Sequence, residues 1–198
     1  MAKRKNKDEF DSLLNFIAEA GMLKRTVRSG WAVLGIKEPE SVAEHSFRCA
    51  VLGYLLAGME GADSYRVLVM ALFHDFHEAR ITDLHKMAQR YIDLRKIEDK
   101  VFLKQVSSLP DKVKDGLSSM RKEYNLQETK ESIIVRDADI LECLIQAKEY
   151  TQQGFSQAEK FMKKAPKHLK TVSARKLWKR AKNKGFNSWW FKLSEFKR

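Results

Sequence analysis

Apolar positions recur at helical spacing along most of the chain. Leu13, Leu14, Phe16 and Ile17 share one face, which predicts a first helix over residues 11–20 that Gly21 stops. From Met22 to Glu40 the period is lost, and Gly30, Gly35 and Pro39 appear. This stretch reads as an ordered loop, and loops that long in compact domains tend to be functional or mobile. Ser41-Val42-Ala43-Glu44 is a capping box, in which Ser41 and Glu44 satisfy each other's orphan backbone donors; it opens a helix to about Ala57. Asp63 or Ser64 caps a third helix predicted over residues 65–80. Its positions Val67, Leu68, Met70, Ala71 and Leu72 leave almost no polar face, so it belongs at the centre. Residues 84–106 read as one long amphipathic helix ending before Leu109-Pro110, and residues 111–123 as a shorter one. Over residues 129–153, Ile133, Ile134, Ala138, Leu141 and Ile145 form a buried stripe that Gly154 closes. Helical pieces at 158–164 and 171–182 precede Trp189-Trp190.

With only 9 Gly and 3 Pro to punctuate 198 residues, the fold expected is all-α, a single helical domain. A content of 43% hydrophobic and 32% charged residues excludes a disordered chain. The longest apolar run, Ala50 to Met59, is about half the ~20 residues that span a bilayer. Asp8, Glu9 and Asp11 interrupt the basic start before any signal-peptide core can form. Cys49 and Cys143 each sit in an apolar helical pattern, so free thiols and a reducing, cytoplasmic setting are expected.

The net charge of +12 changes the picture because it is uneven. Residues 160–198 hold 14 Lys or Arg against the single acid Glu195, whereas residues 1–159 hold 24 basic and 25 acidic residues. The chain is therefore divided into a body, 1–165, and a basic tail, 166–198. In the tail, Lys176, Lys179, Arg180, Lys182 and Lys184 interleave with Trp178, Phe186, Trp189, Trp190 and Phe191. Such a mixture can stack single-stranded nucleic acid. The favoured expectation is that the tryptophans dock on the body while the lysines stay in water.

Histidine is scarce, with five in all, at positions 45, 74, 77, 85 and 168. His74-Asp75 follows Met70-Ala71-Leu72-Phe73, where a buried charge is costly unless it is paired or bound to metal. Imidazole nitrogen with carboxylate oxygen suits a first-row divalent ion. On a continuous helix, Glu78 lies four positions after His74 and three after Asp75, and projects toward the same volume. An adjacent His-Asp pair is also common in surface salt bridges, so the pair alone decides little.

The remaining motifs decide more. Glu40-Ser41-Val42-Ala43-Glu44-His45-Ser46-Phe47-Arg48 is followed by Ala71-Leu72-Phe73-His74-Asp75-Phe76-His77-Glu78. Asp83 comes next, and then Arg136-Asp137-Ala138-Asp139-Ile140-Leu141-Glu142. This order resembles the His…His-Asp…Asp pattern of the HD superfamily of metal-dependent phosphohydrolases. Arg28-Ser29-Gly30-Trp31 is similar to the segment that precedes the first histidine in the HD-domain 5′-deoxynucleotidases. The resemblance spans Leu13 to Tyr150.

The resemblance implies an HD helical bundle with one divalent ion (manganese, cobalt, iron, zinc, nickel or magnesium) held by His45, His74, Asp75 and Asp139. It implies Glu78 as acid/base, Arg28 and Trp31 at the 5′-phosphate and sugar, and Asp83 near a sugar hydroxyl. The implied substrate is a deoxynucleoside 5′-monophosphate, in a chain that can form a homodimer. Two departures stand out: two residues separate Arg28 from Trp31, and Thr82 occupies the place before Asp83 where many members carry glycine. Lys24 or Arg25 could share the phosphate role. Triphosphate or cyclic-diester hydrolysis, or nucleic-acid binding by the tail, are the alternatives. His77 is read as a supporting or surface residue, Arg48 as a salt-bridge partner, and Arg136 and Glu142 as supports of Asp139. Asp137 competes for the place of Asp139.

Overall fold

The computed structural model describes residues 2–186 together with Trp189 and Leu193, with side chains from Glu9 onward. Among the described residues every regular element is helical: α1 Ala2–Met22, α2 Ser29–Ala32, α3 Val42–Glu60, α4 Ser64–Phe73, α5 Glu78–Ile81, α6 Leu94–Val106, α7 Asp111–Leu126, α8 Lys130–Gln152, α9 Glu159–Lys164 and α10 Val172–Ala181. One isolated antiparallel bridge, Val27 with Ser41, ties the loop after α1 to the start of α3. No described helix is long and apolar enough to cross a membrane. Trp190 and Phe191 lie outside the described residues.

The caps explain the boundaries. The Ser41 box forms with both its hydrogen bonds, and Gly61 ends α3 in the left-handed region at φ 66°, where a side chain would be strained. Asp63, Thr129 and Thr171 cap α4, α8 and α10 by accepting from the backbone three residues on. Helices α3, α4 and α8 pack around Cys49, Leu56, Val67, Met70, Ile134 and Leu144. Gly53 lets α3 approach α4, because a Cβ there would meet the Val67 side chain at 3.0 Å.

Helix α10 belongs to the same core, to which it contributes Ala174, Trp178 and Ala181. Two buried charges on α8 hold it. Asp137 accepts from the backbone N–H of Lys170 and of Thr171, at 2.8 and 2.7 Å, and from the Thr171 hydroxyl at 2.6 Å. Lys148 donates to the carbonyls of Ala181, Lys182 and Lys184, closing the other end. Asp137 is thus spent on backbone and is separate from the cluster around Asp139. Asp137→Ala leaves three partly buried donors without this acceptor and is expected to cost on the order of 3 kcal/mol in urea unfolding. Unchanged stability would contradict this anchoring.

Three expected helices differ: the first starts at Ala2 and runs through Gly21 to Met22, so this glycine does not stop it. The third does not run to residue 80: α4 stops at Phe73, and residues 74–77 form a turn before α5. In a continuing helix the His74 carbonyl would accept from Glu78 N–H. Instead Arg121 Nη1 donates to that carbonyl at 2.8 Å, and Glu78 N–H turns to the Asp75 carbonyl at 3.0 Å. The expected helix over 84–106 is likewise broken by a short 3₁₀ turn, Ala88–Arg90, and α6 starts only at Leu94. The loop after α1 contains the one-turn helix α2.

Candidate metal centre

His45 sits in the first turns of α3 and is fully buried. Its Nδ1 lies 2.5 Å from Glu142 Oε2, and Glu142 is itself held by Arg48 Nε at 2.9 Å. His45 Nε2 therefore faces the opposite way, 3.4 Å from Asp139 Oδ1 and 3.7 Å from Asp75 Oδ2. His74, at the end of α4, donates from Nδ1 to the Ala71 carbonyl at 2.6 Å. A carbonyl can only accept, so this bond leaves the Nε2 lone pair free, 3.1 Å from Asp75 Oδ2. Both Nε2 atoms are buried without a hydrogen-bond partner. Asp139 completes the group from α8, with Oδ2 accepting from Arg136 Nη1 at 2.5 Å. Three helices and one turn thus bring together four residues that are 29 and 64 positions apart along the chain.

The electrostatics favour a cation here. Burial and Arg28 push the His45 imidazolium down, but Asp139 and Glu142 outweigh them and raise its pKa to about 10. Burial works against the Asp75 carboxylate, yet His74, Arg28 and His45 hold it well below the usual range. The same balance, won by His45 and Arg136, keeps Asp139 low. Two imidazole nitrogens with second-nitrogen partners, facing two ionised carboxylates, match the donor set of a divalent ion. Cys49 also lies within ligand range of His45 and His74. Burial, then Asp139 and Glu142, push its thiol well up, so it packs as a small neutral wall.

The other expected residues surround this group. Arg28 Nη1 donates to Asp75 at 3.0 Å, with Glu78 and Asp83 each 3.9 Å from the guanidinium. Asp83 accepts from Ser29 N–H at 2.8 Å, which fastens α2 to the turn after α5. Glu78 is buried, and its Oε2 makes no hydrogen bond. Burial, then Asp75 and Asp83, push its carboxyl well above the usual range. It reaches the site from α5 across the turn and not along the helix of His74. Trp31 is 2% exposed, packs on Phe161 and Tyr150, and donates from Nε1 to Glu40 at 2.7 Å. Lys24 and Arg25 line a separate cavity of about 830 Å³ beside α1 and Arg80.

Several supports are not singled out by the sequence. Arg121 is 5% exposed and also bonds Asp99 at 2.8 Å. A basic residue on an amphipathic helix reads as solvated, although its spacing from Leu117 places both on one face. Glu40, next to a helix cap, carries no signal of its partnership with Trp31. Thr82 is the place where glycine was missed. Its φ of 61° with ψ of 169° is a conformation strained for a β-branched residue. Thr82→Gly is expected to raise stability by ~1 kcal/mol, after the greater unfolded-state freedom of glycine offsets part of the relieved strain. A lower melting temperature in that variant would contradict it.

This fold and this cluster define a protein of the HD domain family. A description of that family matches residues 20–180, and the chain belongs to it. Among curated relatives, 5′-deoxynucleotidase HDDC2 of Xenopus laevis is 32% identical over 142 residues, covering 71% of this chain and 70% of the relative. The Homo sapiens protein of the same name is 30% identical over 140 residues, 70% of this chain and 68% of the relative. Among solved structures, a conserved hypothetical protein from Pyrococcus furiosus superposes with a TM-score of 0.72 at 33% identity, covering 86% of this chain and 99% of its own.

Proposed function

We propose that this chain hydrolyses deoxynucleoside 5′-monophosphates to deoxynucleoside and phosphate, as a metal-dependent phosphomonoesterase. The observation that carries the reading is the convergence of the unpartnered Nε2 atoms of His45 and His74 on Asp75 and Asp139. The names of the curated relatives support the substrate class. His45, His74, Asp75 and Asp139 would hold one divalent ion, which when bound supplies Lewis-acid activation of water and phosphate at neutral pH.

The chain's own residues do the rest. Glu78, whose carboxyl is held above the usual range by burial, Asp75 and Asp83, is the group placed to pass a proton to the leaving 5′-oxygen. Arg28 presents a planar fork to the phosphate oxygens, exchanging its bond to Asp75 for the substrate. Trp31, pinned by Glu40, fixes the wall that meets the 2′ position of the sugar. Asp83 orients the sugar hydroxyl while it holds α2 in place. The reading includes a cytoplasmic setting, consistent with two free cysteines, and a body over 1–165 with a tail over 166–198, of which α10 docks through Trp178 whereas Trp189 stands exposed.

Phosphate release from a panel of deoxy- and ribonucleoside monophosphates, triphosphates and cyclic diesters tests the substrate class. Release mainly from deoxynucleoside monophosphates is expected, and preference for another class would replace this reading with another HD reaction. Trp31→Ala should narrow the deoxy-to-ribo gap in kcat/KM, and Arg28→Ala should weaken all phosphate substrates together. An equal loss on both sugars in Trp31→Ala would remove its sugar-sensing role.

A further inference from the structure

The metal centre makes no use of the basic segment. Between Lys160 and Lys184 lie eleven Lys or Arg residues and no Asp or Glu. All eleven are exposed. Among the described residues the one ion pair they form is Lys163 with Glu159, at 3.5 Å. Lys160, Lys163 and Lys164 make one row on α9, and Lys176, Lys179 and Arg180 make a second on α10. Each row has the spacing i, i+3, i+4, which sets three like charges side by side on one helix face, where they repel. The segment is nevertheless fixed to the body. Asp137 accepts from the backbone of Lys170 and Thr171, and Lys148 donates to the carbonyls of Ala181, Lys182 and Lys184. The fold thus holds uncompensated charge in a set arrangement instead of letting it spread into solvent.

We infer that the α9–α10 surface binds nucleic acid through its phosphate backbone, without reading the base sequence. Charge complementarity selects this occupant. A strand carries one phosphate per nucleotide, and cations that neutralise phosphates release condensed counterions, which supplies nearly all of non-specific affinity. The other sides of both helices are already taken. Phe161 of α9 packs on Trp31, with ring centroids 4.7 Å apart, and Trp178 and Ala181 of α10 lie in the main core. A basic helix lying on a lipid surface needs a free apolar face to bury there. Here Val172 is the one large apolar side chain that stands exposed between Lys160 and Lys184. A second copy of this chain fits no better, because two such surfaces repel each other.

The six cations of the two rows make no ion pair with Asp75, Glu78, Asp83 or Asp139. Binding at this surface therefore does not depend on which reaction the metal centre performs.

Fluorescence anisotropy of the full chain with a labelled single strand of DNA tests the inference. The strand is about 20 nucleotides long and lacks a 5′-phosphate, so the metal centre has no substrate group to hold. Six engaged cations predict a slope of about −4 for log affinity against log salt, and a loss of roughly 300-fold between about 50 and 200 mM. At about 150 mM salt the dissociation constant should lie at ~1–100 µM. Replacing the α10 row (Lys176→Gln, Lys179→Gln and Arg180→Gln together) should flatten the slope by about 2, and so should the matching replacement of Lys160, Lys163 and Lys164. Both variants should keep the wild-type circular dichroism and phosphate release from a deoxynucleoside 5′-monophosphate, which separates loss of binding from loss of fold. No binding at about 150 mM salt, or a slope that neither triple replacement changes, would overturn the inference. Binding to phosphatidylserine vesicles with none to the strand would overturn it in favour of a membrane.

Discussion

His74→Ala and Asp75→Ala are each expected to yield protein without stoichiometric metal and without measurable phosphate release. The reason lies in how few donors the pocket offers in the right direction. His74 Nε2 and His45 Nε2 are the two buried imidazole nitrogens left without a hydrogen bond, and Asp75 Oδ2 lies within 3.7 Å of both. Removing either residue takes away one of the four converging donors. The stability readout should follow. An ion present at ~100 times its dissociation constant stabilises the fold by ~2.7 kcal/mol, so the variants should lose the rise in melting temperature that added metal gives the wild type. The metal-free proteins should differ less, because losing Asp75 also relieves its repulsion of Glu78. Wild-type metal content, measured by mass spectrometry on either variant, would remove these residues from the site.

Glu78→Gln should separate chemistry from metal retention. Its carboxyl stands at the start of α5, buried, with no hydrogen bond to Oε2, and within ligand range of Asp75 and His77. Glutamine keeps the shape and can still accept a hydrogen bond, but it cannot pass a proton. Proton transfer by a positioned side chain is worth ~10²–10⁴ in rate, and kcat should fall by about that factor. KM and metal content should stay close to wild type. Loss of metal together with kcat would make Glu78 a ligand, while an undiminished kcat would exclude it from proton transfer.

Much of the fold was legible because its boundaries are written in local chemistry. The Ser41-Glu44 box, the Asp63 and Thr129 caps and the stripe through Ile134, Ala138 and Leu141 all specify helices that form as expected. The break after Phe73 was not legible, since its cause is an Arg121 guanidinium arriving from α7 to take the His74 carbonyl. Periodicity sees only the neighbours of a residue, and that competitor is 47 positions away. The same distance effect hid Glu40 and its bond to Trp31. The metal candidates were legible because their motifs match a family in order and spacing. Their tautomers were not, because the Ala71 carbonyl and Glu142 decide them in three dimensions.

The central claim is that one ion, held by His45, His74, Asp75 and Asp139, makes this HD domain a deoxynucleotidase. The direct measurement is titration of manganese or cobalt into metal-stripped protein, with bound ion and phosphate release from a deoxynucleoside 5′-monophosphate followed in the same samples. The stripped wild type is expected to be inactive, with release rising in proportion to the first ion bound per chain and Asp139→Ala failing to respond. Full activity in the stripped protein, or a wild-type response in Asp139→Ala, would contradict the account.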